Sequence, residues 1–336
     1  MDPDSVPTVD RVQHGGTAAS DQLEFSANVN PETPAGLDAV LGDALADARR
    51  YPDEPAQDFR RAAAAYAGVS PERIVPTPGG LAAIRLIVET TVGPGDRVLV
   101  PAPSFEEYRR EVRLQGATPV FHSAQDLLDA DPADFALAFV CNPNNPTGHA
   151  YERARLEAFV DRARRAETPV LVDEAFLGFT DRESMAGTEG VLVARSLTKL
   201  FGLPGIRVGF AAAPEGYSER LRTAKRPWNL GAPALHVGEA VLSRDAFVRR
   251  TRRRVRVERE KMGRALSRQY RVYPSSAPFL LLEVTHGSVD DLLTHFLENG
   301  IVVRDARSFR GLDSHVRIAI REPDDNRRLE EVALDA

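Results

Sequence analysis

The chain has 336 residues, 43% of them hydrophobic, and a formal charge of −6. This length suits one large α/β unit with a smaller companion, and the acidic balance excludes a nucleic-acid partner held by phosphate neutralisation, which needs a basic face. The single cysteine, Cys141, excludes an internal disulfide and a cysteine-rich metal cluster; no apolar run approaches the ~20 residues that span a bilayer, and the first twenty residues are too polar for a signal peptide, so a cytoplasmic protein without metal or membrane partner is expected.

Residues 1–34 are polar and rich in turn formers and predict an extended arm. Helical spacing over 35–50 stops at Tyr51-Pro52, because proline disfavours helix at the residue before it. A second helix is expected over 58–67. Residues 73–77 run into Pro78-Gly79-Gly80, and a helix is expected over 81–91. The Gly-Pro-Gly-Asp turn at 93–96 precedes a strand over 97–100, then a helix over 105–115 and a strand over 118–121. The apolar run 135–140 predicts a buried strand. An amphipathic helix over 153–166 precedes strands at 169–172, 190–196 and 208–213. Strands alternating with helices in this way predict a mostly parallel sheet covered on both faces. From about residue 234 the pattern changes. One long charged helix over 234–266 is expected, then strands at 279–284, 301–304 and 316–320. The division expected is an arm over 1–34 packing with the small domain, a large α/β domain over 35–233 and a small α+β domain over 234–336. The basic run Arg252-Arg-Arg254 is closely followed by glutamates and reads as a solvated helix face.

Four segments fall where a parallel sheet binds ligands, beyond the carboxyl ends of its strands. Pro78-Gly79-Gly80-Leu81 is either a plain turn or a phosphate cradle at a helix N-terminus. Asn142-Pro-Asn-Asn-Pro-Thr-Gly148 is either a rigid turn or the holder of the Asn145 amide. Asp173 directly follows an apolar strand, where it serves either as a helix cap or as the partner of a pyridinium nitrogen. The fourth segment is Arg195-Ser-Leu-Thr-Lys199, with Arg207 eight residues on. The chain has only three lysines, Lys199, Lys225 and Lys261. Lysine is the side chain that holds an aldehyde cofactor as a Schiff base, and Ser196, Thr198 and Arg207 supply donors for a phosphate beside it. Four such signals, in the order one cofactor needs, point to pyridoxal 5′-phosphate.

Across nearly its whole length the sequence resembles fold-type I enzymes of the class I/II aminotransferase superfamily, which use this cofactor. Within it the resemblance is closest to L-threonine O-3-phosphate decarboxylases of cobalamin biosynthesis and next to histidinol-phosphate aminotransferases. His14-Gly-Gly16, Phe25-Ser-Ala-Asn-Val-Asn-Pro31, Pro227-Trp-Asn229, Val272-Tyr-Pro274, Gly311-Leu-Asp-Ser314 and Val316-Arg-Ile-Ala-Ile-Arg321 favour the decarboxylases. So does Phe176, where the aminotransferases usually carry a tyrosine. The resemblance implies that Lys199 is the Schiff-base lysine, that Asp173 pairs with the ring nitrogen and that Asn145 meets the phenolic oxygen. It implies that Phe105 stacks on the ring, and that Gly80, Leu81, Ser196, Thr198 and Arg207 hold the phosphate. Tyr51 would reach that phosphate from a partner subunit, so a homodimer is implied. Arg304, Arg317, Asn28 and His14 would hold a small phosphorylated amino-acid substrate. Each of these residues also has a plainer reading: Phe105 as core, Arg304 and Arg317 as surface ion pairs, His14 as a solvent residue. The relatives carry polar or acidic side chains where this chain has Leu81-Ala82-Ala83, but backbone donors survive any side chain. Both reactions use nearly the same residues, so the pattern does not separate decarboxylation from transamination. A cofactor-binding regulatory module without turnover is disfavoured, because no DNA-binding extension is present.

Overall fold

The computed structural model describes residues 1–54 and 56–336. The arm contributes β1 (Leu23–Glu24), and two helices, α1 (Leu37–Asp47) and α2 (Gln57–Ala67), lead into the large unit. There β2 (Ile74–Thr77), α3 (Gly80–Thr91), β3 (Arg97–Ala102), α4 (Glu107–Leu114) and β4 (Thr118–Ser123) follow in turn. Next come β5 (Leu137–Cys141), α5 (Arg153–Arg165), β6 (Val170–Asp173), β7 (Val191–Ser196), β8 (Gly209–Ala212) and α6 (Glu215–Ala224).

The seven strands lie in the order β2-β8-β7-β6-β5-β3-β4. The run β7-β6-β5-β3-β4 is parallel, and β8 is antiparallel to both β7 and β2. The strands are apolar on both faces because both are covered. Val170 and Val172 of β6 join one core cluster with Phe159 of α5, while Leu171 joins the other with Ile84 and Ile87 of α3 and Tyr108 of α4. Alternation carries this pattern to the strand ends. Asp173 therefore points to the same face as Leu171, beside Cys141, its register partner on β5.

After α6 come α7 (Ala232–Leu242) and α8 (Asp245–Leu266). The single helix expected over 234–266 is thus two helices, broken at Ser243-Arg244. The break lets the chain change partners: α7 packs on α1 and α2, whereas α8 packs on α10 (Pro323–Leu334), β9 (Arg271–Val272) and β10 (Phe279–Glu283). The expected boundary at 233/234 falls inside α7. A further helix, α9 (Val289–Glu298), starts at Ser288, whose hydroxyl accepts the Asp291 N–H at 3.0 Å. Short strands β11 (Ile301–Val302) and β12 (Arg304–Asp305) precede β13 (His315–Ala319). Strands β12-β13-β10-β9 form an antiparallel sheet. The arm strand β1 pairs in parallel with β11, Leu23 opposite Ile301.

Candidate active site

The carboxyl ends of β2, β3, β5, β6 and β7 open on one edge of the large sheet, and the antiparallel β8 brings its amino end to the same edge. A cavity of about 300 Å³ lies there, closed by the arm and by the loop after β12. Lys199, Asp173, Asn145, Gly80, Leu81, Phe105, Ser196, Thr198, Arg207, Arg304, Arg317, Asn28 and His14 all line it. Tyr51 does not: it is 79% exposed and lies against Trp228 in a tilted arrangement with ring centroids 4.5 Å apart.

The phosphate end is built by close approach. Gly79, at φ +89°, caps α3, and a Cβ there would lie 2.8 Å from Arg207 Nη2. A Cβ on Gly80 would lie 3.2 Å from Ser196 Cβ. The glycines therefore let the α3 N-terminus, with its unpaired N–H groups, meet Ser196, Thr198 and Arg207. The Ser196 and Thr198 hydroxyls are 2.8 Å apart.

At the other end Asp173 is buried. Its Oδ2 accepts the Tyr108 hydroxyl at 2.7 Å and its Oδ1 the Ala175 N–H at 2.9 Å, so the cap-like bond and the site position coexist. Burial raises its proton affinity, and the two donors lower it. Asn145 Oδ1 accepts from Arg317 Nη1, and its Nδ2 amide makes no hydrogen bond among the described residues. The preceding Asn144 ties this loop to the β3–α4 turn through Ser104 Oγ at 2.7 Å and the Pro103 carbonyl at 3.0 Å.

Arg304 and Arg317 are direct partners across β12 and β13. Among the described residues neither has a carboxylate within 4.0 Å, and they are 9% and 5% exposed. They are therefore not surface ion pairs. Arg317 Nη2 donates to the Ser26 carbonyl at 2.7 Å, and Arg304 Nη2 to the Gln13 carbonyl at 2.8 Å and Ser308 Oγ at 2.7 Å. Burial, then the neighbouring Arg304 charge, lowers the proton affinity of Arg317, a penalty that a bound anion offsets. Asn28 Oδ1 and Arg317 Nε are buried without partners. Such orphans in a cavity wall fit a polar ligand. His14 is exposed, and its Nε2 lies 2.9 Å from Glu107 Oε1.

Burial, then the Arg317 and Arg207 charges, lowers the Lys199 ammonium from 10.5 to about 8. Only the deprotonated amine attacks an aldehyde. Cofactor loading of the apoprotein, followed by absorbance, is expected to accelerate as the pH rises to about 8 and then level off. A rate still climbing near pH ~10 would show an ordinary exposed lysine.

Sequence reasoning missed Tyr108, Glu107, Ser26, Gln13, Ser308 and Phe309. Tyr108 lies three residues beyond Phe105, but its role depends on its hydrogen bond to Asp173.

Residues 20–332 match the family described as Aminotransferase class I and II. The chain belongs to this family. Its cofactor is pyridoxal 5′-phosphate, and the donor set fits it: hydroxyls, an arginine and free N–H groups for a phosphate, a carboxylate for a ring nitrogen and one unpaired lysine for an aldehyde. Two curated relatives of this class I/II enzyme are similar along most of their length. One is Histidinol-phosphate aminotransferase 1 of Archaeoglobus fulgidus, 28% identical over 90% of this chain and 96% of that protein. The other is the Threonine-phosphate decarboxylase of Salmonella typhimurium, 31% identical over 94% of this chain and 91% of that protein. Among solved structures, the L-threonine-O-3-phosphate decarboxylase from Porphyromonas gingivalis superposes with a TM-score of 0.85 at 28% identity, covering 93% of this chain and 98% of that one. These neighbours share the mostly parallel fold-type I sheet. Among the described residues no helix is long and apolar enough to cross a membrane.

Proposed function

We propose that this enzyme decarboxylates L-threonine O-3-phosphate to (R)-1-aminopropan-2-yl phosphate, a step of cobalamin biosynthesis. The observation that carries this reading is the pair Arg304 and Arg317, adjacent, buried and free of carboxylate partners in the cavity that Lys199 lines. Two unpaired cations suit a small substrate with two anionic groups, a carboxylate and a phosphate. Histidinol phosphate offers one such group, whereas its co-substrate 2-oxoglutarate offers two, so the pair supports a substrate with two anionic ends and the product assay separates the two reactions.

Bound pyridoxal phosphate supplies an electron sink for whichever α-carbon bond stands perpendicular to its ring. The protein's part is orientation and proton handling. The arginine pair fixes the substrate's two ends and so decides which α-carbon bond stands upright. Asn28 and His14 add polar contacts from the arm, and the Phe105 ring walls one side. Lys199 Nζ, neutral above about pH 8, accepts or returns a proton beside the α-carbon. Phe176, which lines the cavity, offers no hydroxyl, so in this reading Asn145 supplies the contact to the phenolic oxygen.

The second reading is transamination of histidinol phosphate. It is favoured by the depressed Lys199 ammonium, which is competent to move a proton off the α-carbon, and by the resemblance to the Archaeoglobus fulgidus protein. Purified enzyme with L-threonine O-3-phosphate is expected to release CO₂ and the amino-alcohol phosphate in equal amounts. Glutamate formed from histidinol phosphate and 2-oxoglutarate, with no gas from threonine phosphate, overturns the first reading. We further propose that Tyr51, exposed and outside its own chain's cavity, reaches the cavity of a second copy in a homodimer.

A further inference from the structure

Tyr108 lies at the start of α4 and is fully buried. Its ring stacks on Phe139, with centroids 4.7 Å apart, and meets Phe105 edge-on at 5.6 Å. The aromatic contacts fix where the hydroxyl goes, and it goes to Asp173 Oδ2 at 2.7 Å. The other oxygen, Oδ1, is held by the Ala175 N–H. Two elements far apart in sequence thus each tie down one oxygen of the same carboxylate. Each oxygen keeps acceptor capacity, and Asp173 lines the cavity.

We propose that Tyr108 is a positioning residue for the cofactor, its hydroxyl hydrogen bond holding the Asp173 carboxylate ionised and aimed at the pyridine nitrogen. This rests on Asp173 meeting that nitrogen, and not on which α-carbon bond the enzyme breaks. A buried carboxylate without donors takes up a proton, and a protonated Asp173 cannot keep a pyridinium charged. Burial raises the Asp173 carboxyl, and the Tyr108 hydroxyl is the foremost influence lowering it. Tyr108 itself is pushed well above the usual phenol range by burial and by Asp173, so it stays a donor. The other groups facing Asp173 do not replace it. Cys141, its register partner on β5, is pushed up to about 12 and is a neutral thiol. Glu174, next in the chain, is occupied by Arg195 of β7 at 2.9 Å. Lys199 and Arg317 line the same cavity but make no hydrogen bond to Asp173 among the described residues.

The test is the pyridoxal phosphate dissociation constant of the full chain from about pH 5 to about pH 9, for wild type, Tyr108→Phe, Asp173→Asn and the double variant. Phenylalanine keeps the ring and its packing on Phe139 and removes only the donor. Cofactor affinity in wild type falls on the acid side first as Lys199 is protonated below about pH 8 and then further as Asp173 takes up its proton. Removing the donor raises the Asp173 pKa, so that limb is expected to move up by about one pH unit in Tyr108→Phe, a tenfold change in the acid constant. Asp173→Asn keeps only the fall that Lys199 protonation below about pH 8 gives every variant and lacks the additional Asp173 limb, and adding Tyr108→Phe to it changes affinity less than about twofold. A Tyr108→Phe profile that overlays wild type overturns the proposal. So does an equal loss at every pH that persists in the Asp173→Asn background, which marks a packing role. A wild-type profile reproduced by Asp173→Asn overturns the placement of Asp173 itself, and that outcome is distinct from the other two.

Discussion

Replacing Lys199 with alanine is expected to cut turnover by at least about 10⁴-fold while leaving the chain folded. Two jobs disappear together: the covalent hold on the cofactor's aldehyde and the proton carried to or from the α-carbon. No other lysine takes them over. Lys225 Nζ is bound to Glu54 at 2.7 Å and Lys261 Nζ to Glu258 at 2.9 Å, and neither lines the cavity. The side chain is lost from a cavity wall and not from the packed core, so circular dichroism should be unchanged. The loss is expected in initial rates at saturating substrate, whichever α-carbon bond breaks. A variant retaining a tenth of wild-type turnover would remove Lys199 from the reaction.

The second large effect concerns stability. Arg195→Ala is expected to lower the free energy of unfolding by about 3–5 kcal/mol, measured by denaturant titration of the apoprotein. Arg195 Nη1 donates to Glu174 Oε2 at 2.9 Å and Nη2 to the Tyr66 hydroxyl at 3.1 Å, with the guanidinium 5.2 Å from the Tyr66 ring centroid. Glu174 also accepts from Ser184 Oγ at 2.6 Å and from the Met185 N–H at 2.7 Å. Removing the arginine leaves a buried carboxylate without a counter-charge. That residual charge, more than the lost attraction, sets the size of the effect. The double variant Arg195→Met with Glu174→Gln should therefore lose less than Arg195→Ala alone. The pair also bears on the site. Glu174 follows Asp173 and Arg195 precedes Ser196, so the bridge fixes the ends of β6 and β7 that carry these two cavity residues. Arg195→Ala within about 1 kcal/mol of wild type would show that the pair is not what holds those ends.

Much of the large unit was legible in the sequence because both faces of its sheet are covered. Runs such as 137–141 and 170–172 are continuously apolar and are followed at the carboxyl edge by the polar residues Asn142 and Asp173. The glycine pair at 79–80 was legible as a turn, and the reason for it is three-dimensional: Arg207 and Ser196 occupy the space where side chains would stand. The break between α7 and α8 was hidden, since no glycine or proline marks residues 243–244 and helical spacing continues across them. It follows from packing partners. The helices α9 and α10 carried signals that went unused, the Ser288 cap and Pro323 at the first turn. The facing of Arg304 and Arg317 required the antiparallel register of a two-residue strand, too short to recognise by periodicity. The role of Tyr108 was hidden, because its partner is 65 residues away on another element.

The most direct test of the account is borohydride reduction of the cofactor-loaded enzyme, followed by proteolysis and mass mapping. Reduction makes the link between lysine and aldehyde permanent, so the modified residue is read from its peptide. The predicted result is one pyridoxyl phosphate per chain, carried by Lys199. The same mass on Lys225 or Lys261, or on no lysine, would contradict the assignment of this cavity.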